Sequence, residues 1–233
     1  MRENVANEDG TKLERGIVIA IDGLAASGKA TISKGLARHF GFAYLDTGLL
    51  YRLVGFHVKD RHIDVKNVAK VLATIDEIDF TNSPGEMLYS EEVGRMASII
   101  GTIPEVRSSL YDIQRNFPKG KPGAILDGRD IGTVIFPDAD CKLFIEADIE
   151  IRSQRRYKQL QIKNQSVIYD TVLAQLRARD ERDINRAVAP LKAAEDAIII
   201  DTTLLDLESS IDFAIKVVKN SLAGTYSRFK EAM

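Results

Sequence analysis

Residues 16–31 read GIVIAIDGLAASGKAT, and this stretch decides the fold. Gly16–Gly23 is a short, β-rich apolar run ending in glycine, the pattern of a buried strand. The residues that follow, Gly23, Leu24, Ala25, Ala26, Ser27, Gly28, Lys29, Ala30 and Thr31, form a phosphate-binding loop. Backbone N–H groups of such a loop converge on phosphate oxygens, and its glycines let the chain curl that closely. Lys29 adds a mobile positive charge for the β- and γ-phosphates, and the next helix presents its positive N-terminal end. That helix is expected from about Lys29 to His39, with Ile32, Leu36 and Phe40 on one face.

Working outward, Phe42–Leu45 reads as a second strand that ends in Asp46-Thr47-Gly48, and a helix is expected over about Leu49–Lys59. Residues 60–123 read differently, with charged helical segments, a turn at Asn82-Ser83-Pro84-Gly85 and a break over Lys119–Gly123. This part is an insertion between core elements. The core pattern resumes with strands at Ala124–Asp127, Lys142–Ile145 and Ala197–Asp201. A last helix is expected from about Leu204 to Leu222, with Leu207, Ile211, Ile215, Val218 and Leu222 at helical spacing. Short apolar strands separated by helices imply an α/β fold with a parallel sheet. Residues 1–15 are polar and aperiodic, and read as a mobile leader with no function implied.

Composition narrows the function. The chain has 233 residues, 45% hydrophobic and 28% charged, enough to bury a sizeable core without staples. Cys141 is the only cysteine, which excludes a disulfide scaffold and fits a reducing compartment. Three histidines and one cysteine make a zinc site improbable, and no protein metal ligand is assigned. No apolar run is long enough for a membrane span, and the N-terminus lacks the apolar segment of a secretory signal. The net charge of −2 gives no global attraction to DNA or RNA. The charge is uneven, however. Arg152 to Lys192 holds ten Lys/Arg against four Asp/Glu, so this segment carries +6 and the rest −8.

The loop alone leaves switch GTPases, motor ATPases and small-molecule kinases open. No N-K-x-D guanine-reading motif occurs. Arg52, in LDTGLLYR, is expected early on a helix near the carboxyl ends of the strands, where open α/β sheets bind ligands. There it can grip a second phosphate bidentately. Asp127-Gly128-Arg129-Asp130 follows the third strand, where two acids and an arginine packed around glycine are costly to place without a ligand. A plain salt bridge between Arg129 and an acidic neighbour is the non-functional alternative. Arg179, Arg182 and Arg186 are spaced to share one helical face, and would repel each other unless an anion, such as a transferring phosphoryl group, sat among them. Ser98 and Arg107, flanking Ile103-Pro104-Glu105-Val106, are unremarkable by themselves.

Together these strings closely resemble the bacterial cytidylate kinase family: GLAASGKAT, LDTGLLYR, Ser98 with Pro104 and Arg107, LDGRDIGTVIFPDA, and RDERDINRAVAPL. The match runs from about Ile17 to Ile215. The placing of Thr31 one residue after Ala30 is the form that nucleoside monophosphate kinases show. The resemblance implies phosphoryl transfer from ATP to CMP or dCMP with Mg²⁺, small-molecule substrates, and a cytoplasmic place in pyrimidine metabolism, with a monomer expected. It implies a P-loop kinase fold with a five-stranded parallel sheet. The segments would be a leader at 1–15, core at 16–59, a monophosphate-binding insert at 60–123, core at 124–151, a lid at 152–190, core at 191–222 and a tail at 223–233. By the same resemblance Gly23 through Thr31 hold the ATP phosphates, with Arg155 and Arg156 reaching them from the lid. Thr47 keeps the hydroxyl of a family serine. Arg52 and Arg129 hold the CMP phosphate. Ser98, Arg107 and Asp130 read the base. Asp183 accepts from the ribose, with Arg179 and Arg186 near sugar and phosphates. Lys29, Arg129, Arg179 and Arg186 are the expected catalytic residues.

The chemistry of the base fits that assignment. Cytosine's Watson–Crick edge offers an N4 donor and the N3 and O2 acceptors, which asks for one acceptor (Asp130) and donors (Ser98, Arg107). Two departures from the family pattern are visible. The insert looks short and without a hairpin around Asn82–Tyr89, and Ile184 stands where arginine is common. Uridylate or adenylate kinase, and a non-catalytic nucleotide-binding protein, are the alternatives.

Overall fold

The computed structural model describes residues 16–80, 85–162 and 167–223, with the backbone of Val5–Ala6 and Lys12–Leu13. These two dipeptides pair antiparallel. The remaining expectations for the leader, for the turn at Asn82-Ser83-Pro84 and for the tail from 224 onward lie outside the described residues.

The central strand is β1 (Ile17–Gly23), buried along its whole length. Its neighbours are β2 (Ala43–Asp46), β3 (Gly123–Asp127), β4 (Cys141–Glu146) and β5 (Ile198–Asp201), in the spatial order β2-β3-β1-β4-β5. All neighbouring pairs are parallel, with Ile19 opposite Ile125 and Ile21 opposite Leu143. This is the expected five-stranded α/β architecture.

Period-two alternation distributes β1 between two cores. Ile17, Ile19 and Ile21 face α1 (Lys29–Phe40) and α8 (Leu207–Ser221), where Ile32, Leu36, Ala214 and Val218 are buried. Val18 and Ala20 face the opposite layer with Leu126, Ile131, Ile135 and Phe136. The last helix starts later than its apolar spacing suggests. The Asp206 carboxylate accepts the Ser209 N–H at 2.8 Å and caps the first turn, which leaves Leu204 outside and exposed.

A third core is built by the helices between β2 and β3. α2 (Thr47–Asp60), α3 (Val68–Asp76), α4 (Glu91–Ile100) and α5 (Pro104–Asn116) pack Leu50, Val54, Val58, Val71, Ile100, Val106 and Leu110 together. Gly85–Tyr89 is a short 3₁₀ turn, and no strand lies among the described residues between β2 and β3. The basic segment forms α6 (Ile149–Ile162) and α7 (Tyr169–Asn185), joined to the phosphate loop by a small cluster of Ala25, Leu160, Val172 and Leu176.

One expectation about α7 fails. Arg186 lies beyond the helix end with extended backbone (φ −63°, ψ 140°), so it does not share a face with Arg179 and Arg182. Its Nε donates to the Ala189 carbonyl at 2.6 Å, while Leu191 N–H donates back to the Asp183 carbonyl at 2.8 Å. These bonds reverse the chain before Pro190, which cannot continue a helix.

Candidate active site

The phosphate loop hangs between the end of β1 and the start of α1. Gly23 makes its entry possible: with φ +149°, any Cβ there would lie 2.0 Å from the Ile145 carbonyl oxygen. Three anchors hold the loop from behind. Ser27 Oγ donates to the Leu24 carbonyl at 3.0 Å, Thr202 Oγ1 donates to the Ser27 carbonyl at 2.9 Å, and Arg152 donates to the Ala25 carbonyl at 3.1 Å. Leu24 through Thr31, with Arg129, Arg155, Arg156, Gln159 and residues at the start of α8, line a cavity of about 530 Å³. That volume falls in the usual range for a small-molecule site.

Lys29 is buried at the first position of α1, with Nζ 3.6 Å from Asp127 Oδ1. Burial holds its pKa below the usual lysine range, against the pull of the Asp127 carboxylate. Asp127 also accepts the Tyr44 hydroxyl at 2.8 Å. Thr31 lies on the exposed side of the first turn, and Ala30 gives that turn no hydroxyl.

A second, tighter cavity of about 60 Å³ lies beside the first. Thr47, Ser98, Arg107, Arg129, Asp130, Arg179, Asp183 and Arg186 all contribute to its wall, so the fold gathers residues from four helices and two connecting segments. Asp130 is buried, and both of its oxygens are engaged: Oδ2 by Arg107 and Oδ1 by Arg186 at 3.0 Å. Arg107 and Arg186 both also reach the Gly101 carbonyl, at 3.4 and 3.5 Å. Asp183 accepts from Arg129 Nε at 2.9 Å and from Ser98 Oγ at 3.3 Å, and lies 3.9 Å from Arg179 Nε. Burial raises the Asp183 pKa, but Arg129 and Arg179 outweigh it and hold the carboxyl below its ordinary range. Thr47 Oγ1 donates to the Asp127 carbonyl at 2.8 Å.

Arg129 belongs to both cavities. Its partner is Asp183, fifty-four positions along the chain, and not either acidic neighbour in its own loop. That removes the local salt bridge as the reason for the Asp-Gly-Arg-Asp string. Around it the charges crowd. Arg179, whose pKa burial pushes down to about 9, is opposed further by Arg129, Arg52 and Arg156. Burial and the nearby Arg52 take Arg156 down to about 10. The Nε of Arg179 is buried without a hydrogen-bond partner. Burial and cationic neighbours depress Arg52, Arg156 and Arg179, while Asp183 holds Arg129 up; such a crowd, with one unmet donor, is suited to a polyanion.

Three expected phosphate ligands are occupied by protein groups. Arg52 donates to the Leu88 carbonyl at 2.7 Å, resting on Gly94, whose missing side chain leaves the guanidinium room: a Cβ there would lie 3.0 Å from it. It does not line the tighter cavity. Arg155 lines the larger cavity while bonding the Thr202 hydroxyl and carbonyl at 3.0 and 2.6 Å. Arg156 is held by Glu91 at the start of α4, and by Gln159 at 2.7 Å.

The sequence reading left several participants unassigned. Asp127 was visible in the strand-end string, and Arg182, which donates to Ser98 Oγ at 2.9 Å, in the arginine cluster. Tyr51 and Gly101, on the wall of the tighter cavity, carried no signal of their own.

Comparison with known proteins gives the family. The family model described as cytidylate kinase matches residues 19–220. A cytidylate kinase of Methylocella silvestris is 45% identical, covering 88% of this chain and 95% of that protein. One from Bradyrhizobium sp. is 46% identical, covering 89% and 98%. Among solved structures, an uncharacterized protein from Eubacterium ventriosum aligns with a TM-score of 0.52 at 16% identity, over 89% of this chain and 99% of that one, which speaks to the fold alone. These matches do not favour the uridylate, adenylate or non-catalytic alternatives. Matched along most of its length, with its phosphate loop and its Asp-Gly-Arg-Asp turn meeting at Arg129, the chain belongs to the cytidylate kinase family.

Proposed function

We propose that this enzyme binds ATP in the larger cavity and CMP or dCMP in the tighter one, and transfers the γ-phosphoryl group between them. The observation that carries this reading is the position of Arg129, whose side chain belongs to both cavities at their junction. An oxygen of the monophosphate attacks the γ-phosphorus, the bond to the β–γ bridging oxygen breaks, and ADP leaves with the negative charge. Charge spread over the transferred group is met by Lys29, Arg129 and Arg179. Asp130, fixed by Arg107 and Arg186, presents an acceptor to the cytosine amine. Asp183 is assigned to the ribose hydroxyls, and Arg52, with Arg155 and Arg156, to phosphates once their present partners release them.

Asp127, a hard carboxylate oxygen donor 3.6 Å from Lys29, is the residue that would hold Mg²⁺ beside the phosphates. When bound it neutralises phosphate charge. The tighter cavity, about 60 Å³, is far below the roughly 300 Å³ of a small ligand site. Entry of CMP therefore requires the insert to part from α7, along the Ser98–Asp183 and Ser98–Arg182 bonds. Residues 60–123 act in this reading as the monophosphate-binding insert and 152–190 as the lid. The same reading makes the protein a cytoplasmic monomer of pyrimidine metabolism. Coupled ADP release with CMP, dCMP, UMP and AMP as acceptors tests it. Fast turnover with the two cytidylates is expected, and equal rates with AMP would overturn it.

A further inference from the structure

Asp22 is the last side chain before the phosphate loop, and neither cavity includes it. It is buried at the end of β1. Its Oδ1 accepts the Ile131 N–H at 2.8 Å and its Oδ2 the Gly132 N–H at 2.7 Å. These two amides open the single wide turn Ile131–Ile135 that follows Asp130, and the first amides of such a turn have no partner within it. The other end of the same loop is also tied to β1, through Gly128 N–H to the Ile21 carbonyl at 2.9 Å. Residues 128–132 are thus registered at both ends to the strand that launches the ATP loop.

The arrangement is costly. Burial pushes the Asp22 pKa up to about 7, opposed by the two N–H bonds and by Lys29. It is also tight, since a Cβ on Gly132 would lie 3.2 Å from Lys142 and 3.5 Å from Asp22 Oδ2. A carboxylate that takes two adjacent N–H groups, one on each oxygen, fixes the orientation of the peptide planes as well as their distance. Ile131 directly follows Asp130, so that orientation sets where the Asp130 carboxylate meets Arg107 and Arg186.

We propose that Asp22 is a positioning residue for nucleobase recognition, holding the turn that aims Asp130 into the cytidylate cavity. This rests on the reading that Asp130 contacts the base. The test is Asp22→Asn, which keeps the shape but sets an NH₂ group against one of the two N–H donors. The KM for CMP should rise about tenfold, the cost of one buried donor–donor contact. The KM for ATP should stay within about twofold, because the Ser27, Thr202 and Arg152 anchors of the loop are untouched. In an Asp130→Asn background the same change should alter the KM for CMP by less than about twofold, since its effect runs through Asp130. A wild-type KM for CMP in D22N, or an equal rise for ATP, overturns the assignment. If D130N by itself leaves the CMP:UMP ratio unchanged, the base-reading role of Asp130 has failed instead. Should D22N not fold, amide exchange in the wild type decides. CMP should slow Ile131 and Gly132 about tenfold and an ATP analogue should not, and equal slowing by both, or by neither, overturns the proposal.

Discussion

Replacing Asp130 by Asn separates base reading from charge balance. The buried carboxylate serves Arg107 with one oxygen and Arg186 with the other. Asparagine keeps one acceptor, so one guanidinium loses its partner and both lose the counter-charge. Breaking a buried ion pair of this kind costs on the order of 3 kcal/mol, which corresponds to about a hundredfold loss in kcat/KM. That loss falls on every nucleotide alike, because the arginines belong to the protein. The second effect depends on the base. In the proposed reading the carboxylate accepts from the cytosine amine and would oppose the uracil carbonyl, whereas the amide NH₂ can turn toward that carbonyl. The CMP:UMP ratio of kcat/KM isolates this difference, and should shift toward UMP by about tenfold, or about 1.4 kcal/mol. Steady-state ADP release with both acceptors measures it. A hundredfold loss shared equally by CMP and UMP would refute the reasoning, leaving Asp130 as a brace for Arg107 and Arg186 and cytidine selection to Ser98 and Arg107.

Lys29→Ala should lower kcat by about a hundredfold, near 3 kcal/mol of transition-state stabilisation, while calorimetry finds CMP affinity within about twofold, since Lys29 is not part of the tighter cavity. Near-wild-type kcat would remove Lys29 from the chemistry. Asp183→Ala releases Arg129 and Ser98 as well as any ribose contact, so both substrates should weaken, with CMP losing about fivefold more than dCMP if the carboxylate takes the 2′-hydroxyl. Parallel KM values decide, and equal losses would limit Asp183 to holding its protein partners. Glu91→Gln should free Arg156 for the ATP phosphates and lower the KM for ATP by up to about fivefold at low salt, the scale of a partly exposed ion pair. An unchanged or higher KM for ATP would show that the Glu91 contact does not compete with the nucleotide.

The sequence determined whatever depends on local order. The apolar run Gly16–Gly23, the glycines and Lys29 define a strand, a loop and a helix start within sixteen residues, and each step rests on neighbours in the chain. The alternation of short strands with helices was enough to give the α/β class and the parallel sheet, because parallel strands need crossovers. The long strings around Asp130 and Arg186 marked residues that line the tighter cavity. What only tertiary structure decided is which charges meet. Local order left Arg129 a salt bridge to its own acidic neighbours as the alternative to a ligand role, and packing gave it Asp183 on α7 instead. Of the three arginines at helical spacing, Arg182 donates to Ser98 and Arg179 lies 3.9 Å from Asp183, while Arg186 meets Asp130 because the chain leaves the helix before it. Asp22 carried no signal beyond its place at a strand end, yet the crossing of β1 by the Asp130 turn makes it an acceptor for two amides. The reason is physical. Hydrogen bonding along a strand or helix is fixed by spacing of a few residues, whereas a buried ion pair is fixed by desolvation, which binds whichever opposite charges the packing of distant elements brings within reach.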